Sequence, residues 1–187
     1  MKTVVTFGEI MGRFSTPGHL RFSQSFPGDV KVEFAGAEAN VAASLALLGT
    51  PSRFITALPH HAIADACIAS LRSRGVDTRH IVRTDQGRLG LYFLEKGASQ
   101  RPGNVIYDRD DASITLTPAS AYDWEDIFAD AQWFHVSGIT PALSSTAATT
   151  LIDAMDAALD RGLTISCDLN YRAKLWRWNP ALTPSQL

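Results

Sequence analysis

Between Leu163 and Trp176 the sequence runs LTISCDLNYRAKLW, an apolar alternation that passes into an acid, an amide and a guanidinium. Leu163, Ile165 and Cys167 alternate with Thr164 and Ser166. Asp168, Asn170 and Arg172 then follow at two-residue spacing, which on an extended backbone aims all three side chains the same way. At the carboxyl end of a parallel strand such a row faces the crevice where ligands of open α/β sheets bind. The same residues also suit a capped loop with a surface arginine, since Asp and Asn are ordinary turn residues. A second arginine closes a comparable run, Tyr107-Asp108-Arg109. Two guanidiniums over one crevice suit an anion, because each can grip a carboxylate or phosphate through two parallel hydrogen bonds.

Other candidates are weaker alone. Gly36, just before a helix start, permits close backbone approach to a ligand where the free amides of a helix N-terminus point outward. Asn40, in the first turns of that helix, is either a surface polar residue or a reader of ligand hydroxyls. Tyr92 alternates with Leu91 and Phe93, so it faces away from both and points either into a cleft or to water. His60 and His61 are adjacent and diverge on any regular element, which suits a solvated turn better than a metal site, and no metal site is expected. His135 is expected to be a core imidazole bonded to backbone. None of the thirteen glycines stands two residues from another and no Gly-Lys-Ser/Thr occurs, which argues against a dinucleotide fingerprint and a P-loop. No G-x-S-x-G hydrolase elbow occurs either.

The elements that must position these residues alternate. Thr3 to Phe7 reads as a buried parallel strand ending at Gly8-Glu9, and Arg53 to Ala57 and Trp133 to Val136 as further strands. A helix begins near Ala35-Gly36 with Val41, Leu45 and Leu48 as its stripe and Gly49 as its stop. A second carries Ile63, Cys67, Ile68 and Leu71 and stops at Gly75. A third, from about 144 to 161, presents Ala148, Leu151, Ile152, Met155 and Leu159 inward and stops at Gly162. This predicts an α/β fold, doubly wound around a mostly parallel sheet with right-handed crossovers. Two β-rich excursions, within about 11–34 and 81–110, interrupt it with Gly/Pro turns and alternating apolar residues, and are expected to pair into one small lid sheet.

Composition bounds the rest. With 187 residues, 45% hydrophobic and 19% charged, the chain can bury a core of one domain. A formal charge of −2 without any run of Lys or Arg gives no electrostatic reason to expect nucleic acid or a membrane surface as partner. The N-terminus reads as a strand, not a signal peptide, and the two cysteines, Cys67 and Cys167, are expected as reduced, buried thiols of a cytoplasmic protein.

Together these pieces resemble the ribokinase-like (PfkB) carbohydrate kinases, most closely the 2-keto-3-deoxygluconate kinases. The matching segments are Gly8-Glu9, Ala35-Gly36-Ala37-Glu38-Ala39-Asn40-Val41-Ala42, Leu71-Arg72 with Gly75-Val76-Asp77-Thr78, Gly90-Leu91-Tyr92, Tyr107-Asp108-Arg109, Ser137 to Ser144, and Asp168 to Arg172 with Leu175-Trp176. The resemblance implies ATP-dependent phosphorylation of a sugar acid at a primary hydroxyl. It implies that Gly36 and Asn40 contact sugar hydroxyls, that Tyr92 and Tyr107 approach from the lid, and that Asn170 also binds the substrate. Arg109 and Arg172 would hold the carboxylate and the incoming phosphoryl region, Arg172 serving transition-state charge. The family commonly has two glycines where Ala35-Gly36 stands. Its members are also longer, and a later Gly-Ala-Gly-Asp signature supplies their anion hole and general base. Residues 1–187 thus read as the N-terminal part of the fold, without the base, with ATP and Mg2+ belonging to the full-length family and not expected to bind tightly here. A chain ending at Leu187 would be inactive alone and would associate through its lid or its exposed sheet edge. The competing expectations are a non-catalytic sugar-acid binder and a kinase for a neutral sugar such as fructose or ribose.

Overall fold

The computed structural model describes residues 2–172, 174–179 and 181–183. In chain order, its first half comprises β1 (Thr3–Phe7), β2 (Met11–Ser15), α1 (Phe22–Ser25), β3 (Lys31–Ala35), α2 (Ala37–Leu47), β4 (Ser52–Ile55), β5 (Ala57–Pro59) and α3 (Ala62–Arg72). The second half adds β6 (Val82–Thr84), β7 (Leu91–Glu95), β8 (Asn104–Asp108), α4 (Ser113–Leu116), α5 (Trp124–Ile127), β9 (Ala131–Ser137), α6 (Ser145–Asp160) and β10 (Thr164–Asp168).

The main sheet runs β10-β9-β1-β4, all parallel. β1 is TVVTF and every residue of it is buried, as a central strand covered on both faces requires. Val5, Phe7, Ile55, Phe134 and Val136 face one core, closed by α6 and by Tyr122, Trp124, Ile127 and Phe128. Ile10, Phe54 and Leu58 face the other, closed by Ala39 and Ala42 of α2 and by Cys67, Ile68 and Leu71 of α3. Adjacent Phe54 and Ile55 enter opposite cores, the period-two signature of a doubly wound sheet. Arg53, in the same strand, is 3% exposed and is satisfied by Asp77, Asp130 and the carbonyl of Ile127.

The two excursions do pair into one lid sheet, ordered β3-β2-β7-β8. One face of it stacks Phe14 on Phe93 at 5.3 Å, with Phe22 edge-on to Phe93 at 6.4 Å. Residues 82–84 do not join it. As β6 they pair in parallel with β5, extending the main body instead of the lid. Leu20 to Phe26 is not strand either, since residues 22–25 form the single turn α1.

The helices lie where expected, but two expected inner faces are rotated. In α2 the buried residues are Glu38, Ala39 and Ala42, while Leu48 is 82% exposed. In α6, Ala147, Leu151, Ala154 and Ala158 form the inner line, and Ile152 and Leu159, each one position further on, are exposed. Alanine stripes let both helices seat close to the sheet, and that close seating outweighs turning the larger apolar side chains inward. Gly162 does stop α6, at φ 68°. Cys67 is buried but Cys167, in the edge strand β10, is exposed. His135 is half-buried and meets Ser166 Oγ at 2.9 Å through Nδ1, not a backbone group. No helix among the described residues is long and apolar enough to cross a membrane.

Candidate active site

β1 is followed by Gly8-Glu9, beyond the carboxyl edge of the main sheet, and two carboxylates are buried there. Glu9 is 4% exposed and its Oε2 receives Nη2 of Arg109, which leaves the end of lid strand β8. The fit depends on missing side chains. A Cβ on Gly36 would lie 2.0 Å from the Glu9 carbonyl oxygen, and one on Gly90 2.7 Å from Glu9 Oε1. Burial pushes the Glu9 carboxyl up, the nearby Arg109 opposes this, and the charge of Glu38 adds to it.

Glu38 lies in the first turn of α2 and is 1% exposed. Its Oε1 accepts from Ser137 Oγ at the end of β9 and lies 3.4 Å from Thr140 Oγ1, while its carbonyl accepts from Thr6 Oγ1 at 3.1 Å. A Cβ on Gly8 would sit 2.2 Å from its Oε2. Burial raises the Glu38 carboxyl above the ordinary carboxylate range, against the pull of the Ser137 hydrogen bond. The start of α2 is thereby clamped to the ends of β1 and β9, and Gly36, Ala37, Glu38 and Asn40 form one wall of a cavity of about 550 Å³.

The lid forms the second wall. Tyr92 and Tyr107 are cross-strand partners with ring centres 5.9 Å apart, and both line the cavity. Phe93 occupies the opposite face of the lid with Phe14, so the alternation places Tyr92 over the hollow. The Arg109 guanidinium lies 5.5 Å from the Tyr107 ring.

The third wall follows β10. Asp168 Oδ1 accepts from the Asn170 amide at 3.0 Å, and Asn170 turns into the left-handed region at φ 36°. That turn breaks the expected row of three: Asn170 and Arg172 line the cavity and Asp168 does not. Tyr171, Lys174 and Leu175 join them. Arg172 is exposed and donates to the Tyr171 carbonyl at 3.2 Å. Among the described residues no ion pair joins Arg172 or Lys174 to an acid.

One hollow therefore collects Gly36, Asn40, Tyr92, Tyr107, Arg109, Asn170 and Arg172, the seven residues expected from the sequence. Two features differ from expectation. The two arginines are not equivalent, because Arg109 is already paired and Arg172 is not. Gly36 makes room for the Glu9–Ile10 backbone that follows β1, whatever else it contacts. Glu9, Glu38 and Lys174 were not singled out. Glu9 had a usable signal, an acid directly after a buried β-branched strand, whereas Glu38 is buried by hydroxyls a hundred residues away. The cavity presents hydroxyl, amide and aromatic groups together with two cations that have no acidic partner among the described residues, chemistry suited to a small, hydroxylated anion. No group of three His, Cys, Asp or Glu side chains among the described residues is arranged to hold a metal ion.

Comparisons with known proteins agree with this geometry. The chain is 39% identical over 173 residues to a 2-dehydro-3-deoxygalactonokinase of Haloferax volcanii, covering 92% of this chain and 53% of that protein. It is 34% identical over 175 residues to a 2-dehydro-3-deoxygluconokinase of Bacillus subtilis, covering 92% and 52%. The crystal structure of a 2-dehydro-3-deoxygluconokinase from Thermotoga maritima superposes with a TM-score of 0.90 at 49% identity, over 94% of this chain and 53% of that one. The chain thus spans about half the length of these relatives. The model of the pfkB family carbohydrate kinases matches residues 1–187 throughout, and the chain belongs to that family.

Proposed function

We propose that this chain forms the sugar-binding part of a kinase that phosphorylates a 2-keto-3-deoxy sugar acid at a primary hydroxyl. The observation that carries the proposal is the single hollow with Arg172 and Lys174 unneutralised on one wall and Tyr92, Tyr107 and Asn40 on the others. An acid sugar needs a cation for its carboxylate and polar groups for its hydroxyls. The names of the two sugar-acid kinases of Haloferax and Bacillus support the substrate class. Arg172 is assigned the ligand carboxylate and, as the phosphoryl group arrives, its developing charge, where positioning and charge stabilisation carry most of the catalysis.

ATP and Mg2+ belong to the proposed reaction. The acids of the hollow are committed elsewhere, Glu9 to Arg109 and Glu38 to Ser137, so no described residue is assigned to hold the metal or the nucleotide. Nor is one assigned as general base, and residues 1–187 alone are expected to bind sugar acid without turnover.

Titration calorimetry tests the reading. 2-Keto-3-deoxygluconate should bind the chain at least tenfold more tightly than neutral fructose, a difference of about 1.4 kcal/mol. Arg172→Ala, an exposed position, should weaken that preference, with Lys174 left on the same wall, without unfolding the chain. Equal affinity for acid and fructose overturns the assignment in favour of a neutral-sugar kinase, a class represented by a tomato relative named fructokinase-2 at 29% identity.

A further inference from the structure

The Glu9–Arg109 pair is only half made. Nη2 of Arg109 meets Oε2 of Glu9, while Oε1 of Glu9 and Nε of Arg109 are both buried without a hydrogen-bond partner. A guanidinium and a carboxylate commonly close this face with two parallel bonds. One acceptor and one donor of a single pair instead stand open, and buried polar atoms in that condition are costly. The carboxylate is held in place on two sides. The Glu9 backbone lies against Gly36, and Oε1 lies over Gly90, where a Cβ would come within 2.7 Å of it. Glu9 and Arg109 both border the cavity.

The two open atoms ask for one kind of group. A carboxylate or phosphate could accept from Nε but would meet Oε1 with like charge. An ammonium could donate to Oε1 but would face the guanidinium. A keto oxygen only accepts. Among the groups a sugar acid carries, a hydroxyl alone both accepts and donates.

Resting on the sugar-acid reading above, we propose that Glu9 and Arg109 together read one ligand hydroxyl, which accepts from Nε of Arg109 and donates to Oε1 of Glu9. The ligand carboxylate is then left to Arg172 and Lys174, whose charges no acid among the described residues offsets. Because Glu9 leaves the end of β1 and Arg109 leaves the end of β8, the same hydroxyl ties the lid to the main sheet. Glu9 is thereby a specificity-determining residue, and Arg109 serves hydroxyl recognition more than charge.

The test is calorimetry of the full chain with 2-keto-3-deoxygluconate and with its analogues lacking one hydroxyl each. One analogue should bind the native chain roughly ten- to hundredfold more weakly than the parent, the range expected when a hydrogen bond to a charged group is lost. In Glu9→Gln the amide oxygen is taken by Arg109 and an N–H2 replaces the open acceptor, so parent and analogue should bind within about threefold of each other. If Glu9→Gln fails to show a cooperative melt, Glu9→Asp, which keeps the charge and withdraws the carboxylate by one methylene, should show the same loss of discrimination. Undiminished discrimination in the folded variant overturns the proposal. Native binding that is equal for every analogue also overturns it and leaves the sugar-acid reading standing. A native chain that binds none of these acids overturns that reading, and this assignment with it.

Discussion

Replacing Gly8 by alanine isolates the packing that sets the floor of the cavity. Gly8 is not in the left-handed region, so its backbone accepts alanine, and any cost must come from what the new methyl meets. It would lie 2.2 Å from Oε2, 2.3 Å from Cδ and 2.9 Å from Cγ of Glu38. Relieving those contacts requires the carboxylate, which accepts from Ser137, to shift by about 1 Å and so disturbs that hydrogen bond. Overpacking a tight interior costs about 1–3 kcal/mol, and weakening a hydrogen bond to a charged group costs about 1.5–3 kcal/mol. Gly8→Ala should therefore lose about 3–4 kcal/mol, since the narrower unfolded ensemble of alanine returns only about 0.4–1 kcal/mol. Urea unfolding of the native chain, Gly8→Ala, Glu38→Ala and the double variant forms a cycle that separates the terms. With Glu38 truncated the methyl has space, and the second step should cost less than about 1 kcal/mol, giving a coupling of at least about 2–3 kcal/mol. If Gly8→Ala costs as much in the Glu38→Ala background as in the native one, Glu38 is not what requires a glycine at position 8, and the clamp between α2 and β1 is wrongly described.

Two further outcomes follow from buried and exposed groups away from the cavity. Arg53 is nearly inaccessible and holds Asp77 Oδ2 at 2.8 Å and Asp130 Oδ1 at 2.9 Å, so Arg53→Met should cost about 3 kcal/mol in urea unfolding at pH 7. Desolvation raises both carboxyls, but hydrogen bonds from Arg79 and Arg53 together hold Asp77 well below its ordinary value, and those from Thr3 and Arg53 lower Asp130. A depressed native pKa contributes stability that is present above the unfolded value and is lost as pH falls through the folded one. The native chain should thus lose stability below about pH 4, and Arg53→Met should show a shallower loss there; equal slopes for the two proteins would contradict the pairing. Thiol labelling separates the cysteines: exposed Cys167 should react in the folded state, whereas Cys67, buried and with its thiol pushed up to about 12, should react only as fast as the chain opens. Simultaneous reaction of both would refute the burial assigned to α3.

How much of this was legible depended on whether the cause was local. The alternation Leu91-Tyr92-Phe93 is a local property of a strand, and it correctly separated the phenylalanine packed on one lid face from the tyrosine over the cavity. The two β-rich excursions were likewise marked by turn residues and period, and their pairing into one sheet followed. Helix faces were less legible. Periodicity weighs large apolar residues, but α2 and α6 approach the sheet along alanines, leaving Leu48, Ile152 and Leu159 outside. Residues 112–130 fall in none of the expected elements, yet their short turns supply Tyr122, Trp124 and Phe128 to the core. The spacing of Asp168, Asn170 and Arg172 misled because it assumed an extended backbone past β10, where the Asp168 side chain instead caps a left-handed turn.

The glycines join the legible and illegible parts. Gly8, Gly36 and Gly90 each stand where a methyl would collide with Glu9 or Glu38, and they come from just after β1, from the start of α2 and from just before lid strand β7. No glycine alone shows what it makes room for, because the atom concerned lies in another segment. Only their convergence shows that the end of β1, the start of α2 and the lid are brought together over two carboxylates. One of those carboxylates faces hydroxyls of the main body and the other faces the arginine of the lid. The acid on the main body fixes where α2 begins, and the acid facing the lid fixes where Arg109 points. Positioning of the lid and the chemistry of the hollow are in this way one contact. A change at Glu9 must therefore alter both what the cavity accepts and how the lid rests on it, whereas a change at Arg172 can alter only the former.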